Sequence, residues 1–483
     1  MENKSGAQIS RKAFIQSFVI LLVIMLIAGV LTLVVPAGSY TRVEQAGRQI
    51  IDPASFTSIA KPDYPAWRWL TAPLEVLAGP DGLTIIVIIF FLLMVGASFA
   101  VLDGSGILRA VIAAIVRRFG GRKYLLLALI SLFFMLLGAF FGIFEEVLPL
   151  VPIMIALSIY LGWDTLVGLG MSILAVNMGF SAAVTNPFTI GVAQKLAGLP
   201  LFSGAWLRVI FFITIYGLFF LFLSGFARRV EKDPTKSPVY TEDQGYRQSH
   251  PGFDLRQELI EDGQLKAALI WFGVFALGIL AVLVAAPFIP AISDYSLPIV
   301  ALLFFAGGMG AGFLSGKPGR VVWKAALDGL QGIAPGIILI LMASSIKYII
   351  VSGGIMDTIL HAASGVLTKA TPFTSSLLVY GLALFIEFFI GSGSAKAFLL
   401  MPILLPLGDL AGLTRQVAVT AYCFGDGFSN LAYPTNPVLL IALGLTVVTY
   451  PKWLRWTLRL WAVVVPVTLV FLALAVAIHY GPF

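Results

Sequence analysis

The tripeptide Thr-Asn-Pro occurs twice inside long apolar stretches of this chain, at 185–187 and at 435–437. Proline lacks an amide hydrogen and clashes with the preceding turn, so each copy predicts a break in an otherwise continuous helix. Backbone groups freed at membrane depth are tolerated only where they are buried in protein or line a cavity. The two asparagines lie 250 positions apart in matching surroundings, which indicates an internal repeat. Repeated broken helices are typical of transporter binding sites.

Composition places the chain among polytopic α-helical membrane proteins. Of its 483 residues, 59% are hydrophobic and only 11% are charged, and the mean hydropathy is +0.97. The net charge of +7 reflects Lys and Arg near helix ends, so we expect contact with a lipid bilayer and no nucleic-acid partner. The single cysteine, Cys423, excludes a disulfide framework, and three scattered histidines argue against a histidine metal site. Neither HExxH nor GxxxxGK[ST] occurs, so we expect neither an enzyme nor a nucleotide-driven pump.

The apolar runs predict nine membrane spans and two hairpins. The spans lie near 14–35, 83–103, 165–198, 205–227, 265–288, 292–313, 325–350, 414–448 and 457–479. The hairpins, 123–162 and 373–410, are interrupted by short segments at 142–146 and 391–396. We interpret them as re-entrant hairpins rather than pairs of full spans, because the interruptions are glycine-rich and flanked by apolar residues. The segments 105–118 and 353–368, which precede the hairpins, predict amphipathic helices in the membrane interface.

The distribution of basic residues predicts the topology. With both hairpins re-entrant, every strong basic cluster falls on one face: 117–123, 228–236, 317–324 and 452–459. The positive-inside rule places that face and the N-terminus in the cytoplasm, and we expect a bacterial inner membrane. Paired full spans would preserve this parity, so the charges leave the depth of the hairpins open.

The chain divides into two repeats joined by a linker. The first repeat covers 1–227, a cytoplasmic linker and a connecting span cover 228–291, and the second repeat covers 292–483. One extra span between the halves makes corresponding helices cross in opposite directions, which predicts an inverted repeat. The polar stretch 228–263 mixes both charge signs without an apolar core, so we expect a solvated connector.

We expect the chemistry at the breaks and the hairpin tips. The half-helix after each proline directs free amides and a positive dipole end toward the break, which suits an anion. The carbonyls freed on the other side suit a cation. Asp426, Ser429 and Asn430 are candidates for a coupling ion, either sodium or a proton, and no other metal or cofactor is expected. The candidate substrate-binding residues are Glu145, Glu146, Asn177, Thr185, Asn186, Pro187, Ser392, Gly393, Ser394, Lys396, Thr435, Asn436 and Pro437.

The two tips differ in charge, because Glu145 and Glu146 occupy one and Lys396 the other. An ionised side chain near the bilayer centre costs at least about 2.5 kcal/mol, so each should face a cavity, an ion or a partner. The structural alternative is that Lys396 pairs with the two glutamates. Glu387, in the first arm of the second hairpin, suits either a relay or a partner for Lys347.

Three segments resemble a known family: FGIFEEVLPLVPIM (141–154), GSGSAKAFLLMPIL (391–404) and YCFGDGFSNLAYPTNP (422–437). The chain resembles the anaerobic C4-dicarboxylate carrier (DcuC-like) family of the ion transporter superfamily, in particular its YfcC-like branch, named for basic amino acid antiport. The resemblance implies a scaffold domain, a mobile transport domain of hairpins and broken helices, an elevator mechanism and a homodimer. We expect the dimer contact on the apolar faces of 14–35, 265–288 and 292–313.

The sequence therefore predicts an all-α polytopic secondary transporter, working by ion-coupled symport or exchange, for a small organic ion. An amino acid is favoured, and a basic one would place its cation near the glutamate pair. A C4-dicarboxylate would instead rely on Lys396 and the half-helix N-termini. A cation/proton antiporter without an organic substrate is the other alternative.

Overall fold

Helices make up most of the part of the chain that the structure describes. The computed structural model describes residues 11–45, 48–52, 54–108, 110–111, 120–249, 263–285, 289–364 and 371–481. In chain order the helices are α1 (Arg11–Val34), α2 (Arg68–Glu75), α3 (Gly82–Gly104), α4 (Lys123–Leu136), α5 (Val151–Tyr160), α6 (Thr165–Leu169), α7 (Ala175–Ala182), α8 (Val192–Leu196), α9 (Ala205–Lys232), α10 (Tyr240–Ser249), α11 (Gly263–Ala285), α12 (Pro290–Leu314), α13 (Gly319–Ser352), α14 (Met356–Ser364), α15 (Pro372–Glu387), α16 (Gly393–Leu410), α17 (Arg415–Ser429), α18 (Pro437–Gly444) and α19 (Tyr450–Ala477).

Both predicted helix breaks are confirmed. The first broken helix runs from α6 through a π-helical turn, Gly170–Leu174, into α7, and resumes at Pro187 with a second π-helical turn that leads into α8. The second consists of α17 and α18, with the break between Ser429 and Pro437. Both prolines are the first residues of their half-helices, where the missing amide costs nothing.

The hairpins have the predicted order but different turn positions. In hairpin 1, α4 continues through a π-helical turn to Phe141, and the returning arm begins with a 3₁₀ helix at Glu145. In hairpin 2, α15 ends at Glu387 and α16 begins at Gly393 after its N-cap, Ser392. Glu145, Glu146, Gly393, Ser394 and Lys396 therefore lie in the first turns of the returning arms rather than in the turns themselves.

Nine helices among the described residues are long and apolar enough to cross a membrane. The number equals the predicted count of spans, but the two sets differ. The nine include one arm of each hairpin, Lys123–Phe141 and Gly393–Leu410, and leave out α1 and the second broken helix. At 1.5 Å per residue the 19-residue arm Lys123–Phe141 is about 28 Å long, so arm length is compatible with either interpretation of this hairpin.

The segment between α1 and α2 corrects the all-α prediction, because it contains four short strands. β1 (Gly38–Ser39) pairs antiparallel with β4 (Thr57–Ser58), and β2 (Arg42–Gln45) pairs antiparallel with β3 (Arg48–Ile51). The register places Val43 opposite Ile50, so β-branched residues face each other across the ladder as strands favour.

The linker between the halves is partly docked, not a solvated connector. Asp243 on α10 is 2% exposed and accepts hydrogen bonds from Thr165, at 2.9 Å from N and 2.5 Å from Oγ1. Glu242 forms a 2.6 Å ion pair with Lys452 at the start of α19. The sequence predicts that the polar side chains of the linker are solvated, but Asp243 and Glu242 bind the N-terminal ends of α6 and α19.

Contacts between distant segments agree with the predicted relative sidedness of the spans. Lys123 at the start of hairpin 1 lies 2.6 Å from Glu231 at the end of α9. Gln416 at the start of α17 donates to the Ser203 carbonyl, 2.8 Å away, in the loop before α9. Each pair joins residues that were predicted to lie on the same face. The second predicted interfacial helix is present as α14, whereas most of 105–118 lies outside the described residues.

The helices form two groups that pack mainly within themselves. One group contains α1, α3, α11, α12 and α13, and the other contains the two hairpins, the two broken helices, α9 and α19. Small residues allow close approach within each group. A β-carbon on Gly308 of α12 would lie 1.8 Å from Ser98 Oγ of α3, and one on Gly427 of α17 would lie 2.3 Å from Ser181 Cα of α7. The second of these contacts brings the two broken helices together beside their breaks.

Candidate functional site

The two repeated asparagines cap the half-helices in the same way. Asn186 Oδ1 accepts from the amides of Phe188 and Thr189, at 2.9 and 3.3 Å. Asn436 Oδ1 accepts from the amides of Val438 and Leu439, at 2.9 and 3.4 Å. These are N-caps, and with proline at the next position they use the first amides of each half-helix. The expectation of free amides at the breaks is therefore wrong, although the helix dipole remains.

Protein donors also bind the carbonyls that the breaks release. Arg208, 0% exposed, donates to the Val184 carbonyl from Nε at 3.2 Å and from Nη2 at 3.0 Å. Trp453 Nε1 donates to the Leu431 carbonyl, 2.9 Å away. A guanidinium and an indole thus take carbonyls that we expected to hold a bound cation.

Each hairpin tip lies against the break of its own half. Thr185 donates from N to the Ala139 carbonyl at 3.1 Å and from Oγ1 to the Phe140 carbonyl at 3.0 Å. In the second half, a β-carbon on Gly391 would lie 3.4 Å from Asn436 Nδ2. Thr185 therefore attaches the first tip to its break by hydrogen bonds.

The second hairpin also contacts both broken helices. A β-carbon on Gly393 would lie 2.7 Å from Thr189 Cγ2 and 2.8 Å from Asp426 Oδ2. Tyr422 on α17 donates its hydroxyl hydrogen to the Gly393 carbonyl. The start of α16 is thus held between the half-helix that follows the first break and the helix that precedes the second.

A charged cluster lies at this contact. Lys396 donates to Glu387 Oε2, and its Nζ lies 2.7 Å from Asp426 Oδ1, with all three side chains fully buried. The contact with Asp426 is ionic, without an aligned hydrogen bond. Asn436 Nδ2 lies 3.5 Å from Glu387 Oε1 and 3.3 Å from Asn430 Oδ1, so the cap of α18 also belongs to the cluster. Two carboxylates share one ammonium here.

The glutamate pair of hairpin 1 lies against α12 and not in the Lys396 cluster. Glu146 Oε1 accepts from Ser296 Oγ of α12 at 3.0 Å, and Glu146 Oε2 accepts from the Phe144 amide at 3.2 Å. Both glutamates are half-buried. Lys396 pairs with Glu387 and Asp426, so the structural alternative in which it pairs with Glu145 and Glu146 is wrong.

Several candidate residues keep polar atoms without a hydrogen bond to the described part of the chain. These atoms are Asn177 Oδ1 and Nδ2, Asn186 Nδ2, Thr435 Oγ1 and Asp426 Oδ2. An unsatisfied buried polar group costs about 1–3 kcal/mol, so such groups are retained where a ligand or water binds. Of the three coupling-ion candidates, Ser429 donates to the Gly425 carbonyl at 2.8 Å, Asn430 accepts from Asn436, and Asp426 is in ionic contact with Lys396. The described residues contain no group of three or more His, Cys, Asp and Glu side chains that could hold a metal.

A cavity of about 480 Å³ lies beside the second hairpin tip. Its walls include Ile390, Ala395 and Leu399 of hairpin 2, and Lys347 and Asp357 of α13 and α14. Arg42 also lines it and forms a 2.9 Å ion pair with Asp357. The cavity reaches Ala395, the residue before Lys396 in the chain, and its volume is large enough for an amino acid.

Two residues of this arrangement were missed from the candidate set. Neither role predicted for Glu387 includes its observed partner Lys396, and Lys347 instead pairs with Asp81 at 2.6 Å. Arg208 is the second, and an arginine near the start of an apolar run is a sequence signal that could identify it.

Gly142→Ala is expected to destabilise the fold more than Gly162→Ala does. Both glycines have positive φ, 69° and 88°, which costs alanine about 1–2 kcal/mol. A β-carbon on Gly162 meets nothing within 4 Å, whereas one on Gly142 would lie 2.2 Å from Asn186 Oδ1 and displace the cap. Losing an N-cap adds about 1 kcal/mol. Unfolding of the two purified variants tests this, and equal losses would contradict the contact between the first tip and its break.

Nine candidate spans, two broken helices that meet at their breaks and a buried charged cluster beside them define a membrane transporter. The chain belongs to the DcuC family, described as C4-dicarboxylate anaerobic carriers, whose model matches residues 14–477.

Two curated relatives are similar over most of the chain. The Escherichia coli (strain K12) protein named "Putative basic amino acid antiporter YfcC" is 31% identical over 479 residues, covering 92% of this chain and 93% of that protein. A Haemophilus influenzae (strain ATCC 51907 / DSM 11121 / KW20 / Rd) protein, named as uncharacterized, is 24% identical over 376 residues, covering 77% of this chain and 72% of the relative.

Two solved transporters are similar at low identity. The YdaH transporter of Alcanivorax borkumensis is 18% identical with a TM-score of 0.41, and the match covers 97% of this chain and 100% of that one. Neisseria gonorrhoeae MtrF, from a study of antimetabolite efflux pumps, is 19% identical with a TM-score of 0.44, and the match covers 95% of this chain and 94% of that one.

Proposed function

We propose that this protein is a secondary transporter that exchanges a basic amino acid, bound between the two helix breaks. The observation that carries the proposal is the charge of the buried cluster, where Glu387 and Asp426 share the single ammonium of Lys396. Burying a carboxylate without a partner costs several kcal/mol, so a cationic ligand is favoured at this place. The name of the Escherichia coli relative agrees with this substrate class.

The same contacts argue against a C4-dicarboxylate, the substrate in the family's description. A dianion needs cationic side chains or free amides. Lys396 is already shared by two carboxylates, Arg208 donates to backbone carbonyls, and the two asparagines cap the half-helices. Binding a dianion would require breaking one of these arrangements.

The unpartnered atoms suggest how an amino acid would lie. Its cationic group would meet Asp426 Oδ2, and its α-carboxylate would accept from Asn186 Nδ2. Thr189 connects the two places, because its amide is capped by Asn186 and its methyl group lies beside Gly393, next to Asp426. The cavity lined by Arg42 and Asp357 would be the way in from the second hairpin.

The proposed transport cycle is an elevator movement of an inverted repeat. The hairpins and broken helices would move as one body against α1, α3, α11, α12 and α13. The grouping of the packing contacts supports this, since the main links between the groups are α13 with α18, α12 with Glu145–Leu150 and α1 with α19, and the segment between α1 and α2 adds β3 with α16, as does α14 with α16. In this cycle Glu146 would slide past Ser296. The hairpins would be re-entrant, because both tips stop at the breaks.

We further propose a homodimer through the apolar faces of α11 and α12. Only 17% of the apolar part of α11 is buried within the described chain, which is the lowest share among the nine candidate spans. Dimerisation would hold this group fixed while the other group moves. Liposomes that contain a single copy of the protein and still show full transport activity would contradict this part of the proposal.

Uptake into proteoliposomes tests the proposed function. Vesicles loaded with L-arginine should accumulate labelled L-lysine and L-arginine, and unloaded vesicles should do so more slowly. Succinate and fumarate should neither be taken up nor compete. Uptake of succinate but not of lysine would favour a dicarboxylate carrier, and movement of sodium and protons without any organic solute would favour a cation/proton antiporter.

A further inference from the structure

The Lys396 cluster carries an unequal number of opposite charges. Glu387 and Asp426 are both 0% exposed at the side chain, and so is Lys396, the ammonium between them. When all three are ionised, one negative charge has no cationic partner. Glu387 also accepts from Asn436, whereas Asp426 Oδ2 has no donor among the described residues.

The surroundings offer no second cation within the cluster. Arg208, the other fully buried basic side chain of the described residues, donates to Val184, Phe202 and Ser203 carbonyls and to the Tyr480 hydroxyl. The titratable groups on the helices of the cluster are Tyr380, Tyr422 and Cys423 and the exposed ion pair of Asp409 and Arg415. Tyr433, the exposed Lys195 on α8, and Arg42, Lys347 and Asp357 at the neighbouring cavity lie on the segments packed around them. The nearest of these are neutral at pH 7, and the charged ones form their own ion pairs or are exposed.

A lone buried negative charge is unfavourable, and two carboxylates this close cannot both remain ionised without compensation. A proton shared by the pair Glu387 and Asp426 removes the extra charge. We infer that this carboxylate pair is the proton-coupling site, and that a bound cationic substrate displaces the one proton that the pair holds in the empty carrier.

One proton leaves the cluster for each substrate cation that binds. In the empty carrier the cluster holds one carboxylic acid, one carboxylate and one ammonium, and is neutral. On binding, the O–H bond of the acid breaks, its electron pair stays on the carboxylate, and the proton leaves to water through the cavity. The substrate cation takes its place, so the cluster is neutral again. Lys396 fixes the stoichiometry, because without its charge the pair would need two compensating cations.

The inference rests on the proposed function for its substrate, and the test separates the two. Purified protein is titrated with L-arginine in weakly buffered solution with a pH indicator. The wild type should release one proton per arginine bound, and the Kd should rise by up to about tenfold per pH unit as the pH falls, because protons compete with arginine for the pair. Arginine that binds and is transported with no proton released overturns the inference while the proposed function stands.

The variant Lys396→Arg tests whether the released proton comes from the carboxylate pair Glu387 and Asp426 or from Lys396. A guanidinium is always charged, so the variant should still release one proton per arginine bound. Binding without proton release in this variant would mean that Lys396 gives up the proton, which overturns the inference.

Infrared difference spectroscopy tests the empty carrier without any substrate. The wild type at pH 7 should show the carbonyl stretch of a buried carboxylic acid, and Glu387→Gln/Asp426→Asn should lack it. Asp409→Asn, which changes an exposed carboxylate, should keep it. A wild-type spectrum identical to that of the double variant in this region overturns the inference even where no amino acid binds.

Discussion

Arg208→Met is expected to lower the free energy of unfolding by about 2–6 kcal/mol, because two carbonyls that accept from its guanidinium are left without a donor. The guanidinium is fully buried and donates to the carbonyls of Val184, Phe202 and Ser203. Methionine fills much of the space but donates nothing, so the Val184 and Phe202 carbonyls lose their donor, whereas the Ser203 carbonyl still accepts from Gln194 and Gln416. Each unsatisfied buried group costs about 1–3 kcal/mol. The largest consequence should fall on the first break, whose Val184 carbonyl receives two of these bonds.

Unfolding of the detergent-solubilised protein, followed by tryptophan fluorescence, measures this effect. The matched control is Arg229→Met on the same helix, α9, where the side chain is exposed. That change should cost less than about 1 kcal/mol, as surface substitutions do. Equal stability of the two variants would mean that the first break does not depend on Arg208.

Asp426→Asn is expected to weaken binding of a basic amino acid at least about 100-fold while leaving the fold intact. Leaving a charge without its buried partner costs about 3–5 kcal/mol, and each 1.4 kcal/mol is a factor of ten in Kd. Asparagine has nearly the same shape, and Lys396 keeps its contact with Glu387, so the packing around Gly393 is preserved. The loss should therefore appear in Kd and transport rather than in stability.

Titration calorimetry with L-arginine compares this variant with Asp409→Asn. Asp409 forms an exposed ion pair with Arg415 at 2.8 Å, and such pairs contribute about 0–1 kcal/mol. The control should bind arginine as the wild type does. Unchanged affinity in Asp426→Asn would remove this carboxylate from the substrate site, and equal losses in both variants would indicate a nonspecific effect of charge.

The breaks could be predicted from the sequence because their cause is local. Proline at 187 and 437 ends one helix and begins the next whatever surrounds it, and asparagine before each proline is a strong N-cap residue. The family resemblance rests on the two hairpin tips and the segment of the second break, and the family comparison confirms it.

The partners across the fold could not be predicted, because they depend on which helices meet. Glu387 and Lys396 are only nine positions apart, but the turn between α15 and α16 decides that they face each other and that Asp426 joins them. Arg208 reaches the Val184 carbonyl from a different helix, 24 positions along the chain. The docked linker is a similar case, since Asp243 reads as a solvated residue until α6 supplies the Thr165 amide.

Ligand protection at the second hairpin tip tests the central claim, that substrate binds between the tips and the breaks. In a background with the one native cysteine replaced, Cys423→Ala, a cysteine is introduced at the exposed tip by Ser392→Cys and, as control, in the linker by Lys236→Cys. Saturating L-arginine should slow maleimide modification at position 392 and leave the rate at position 236 unchanged. Equal modification rates at position 392 with and without bound arginine would contradict the claim.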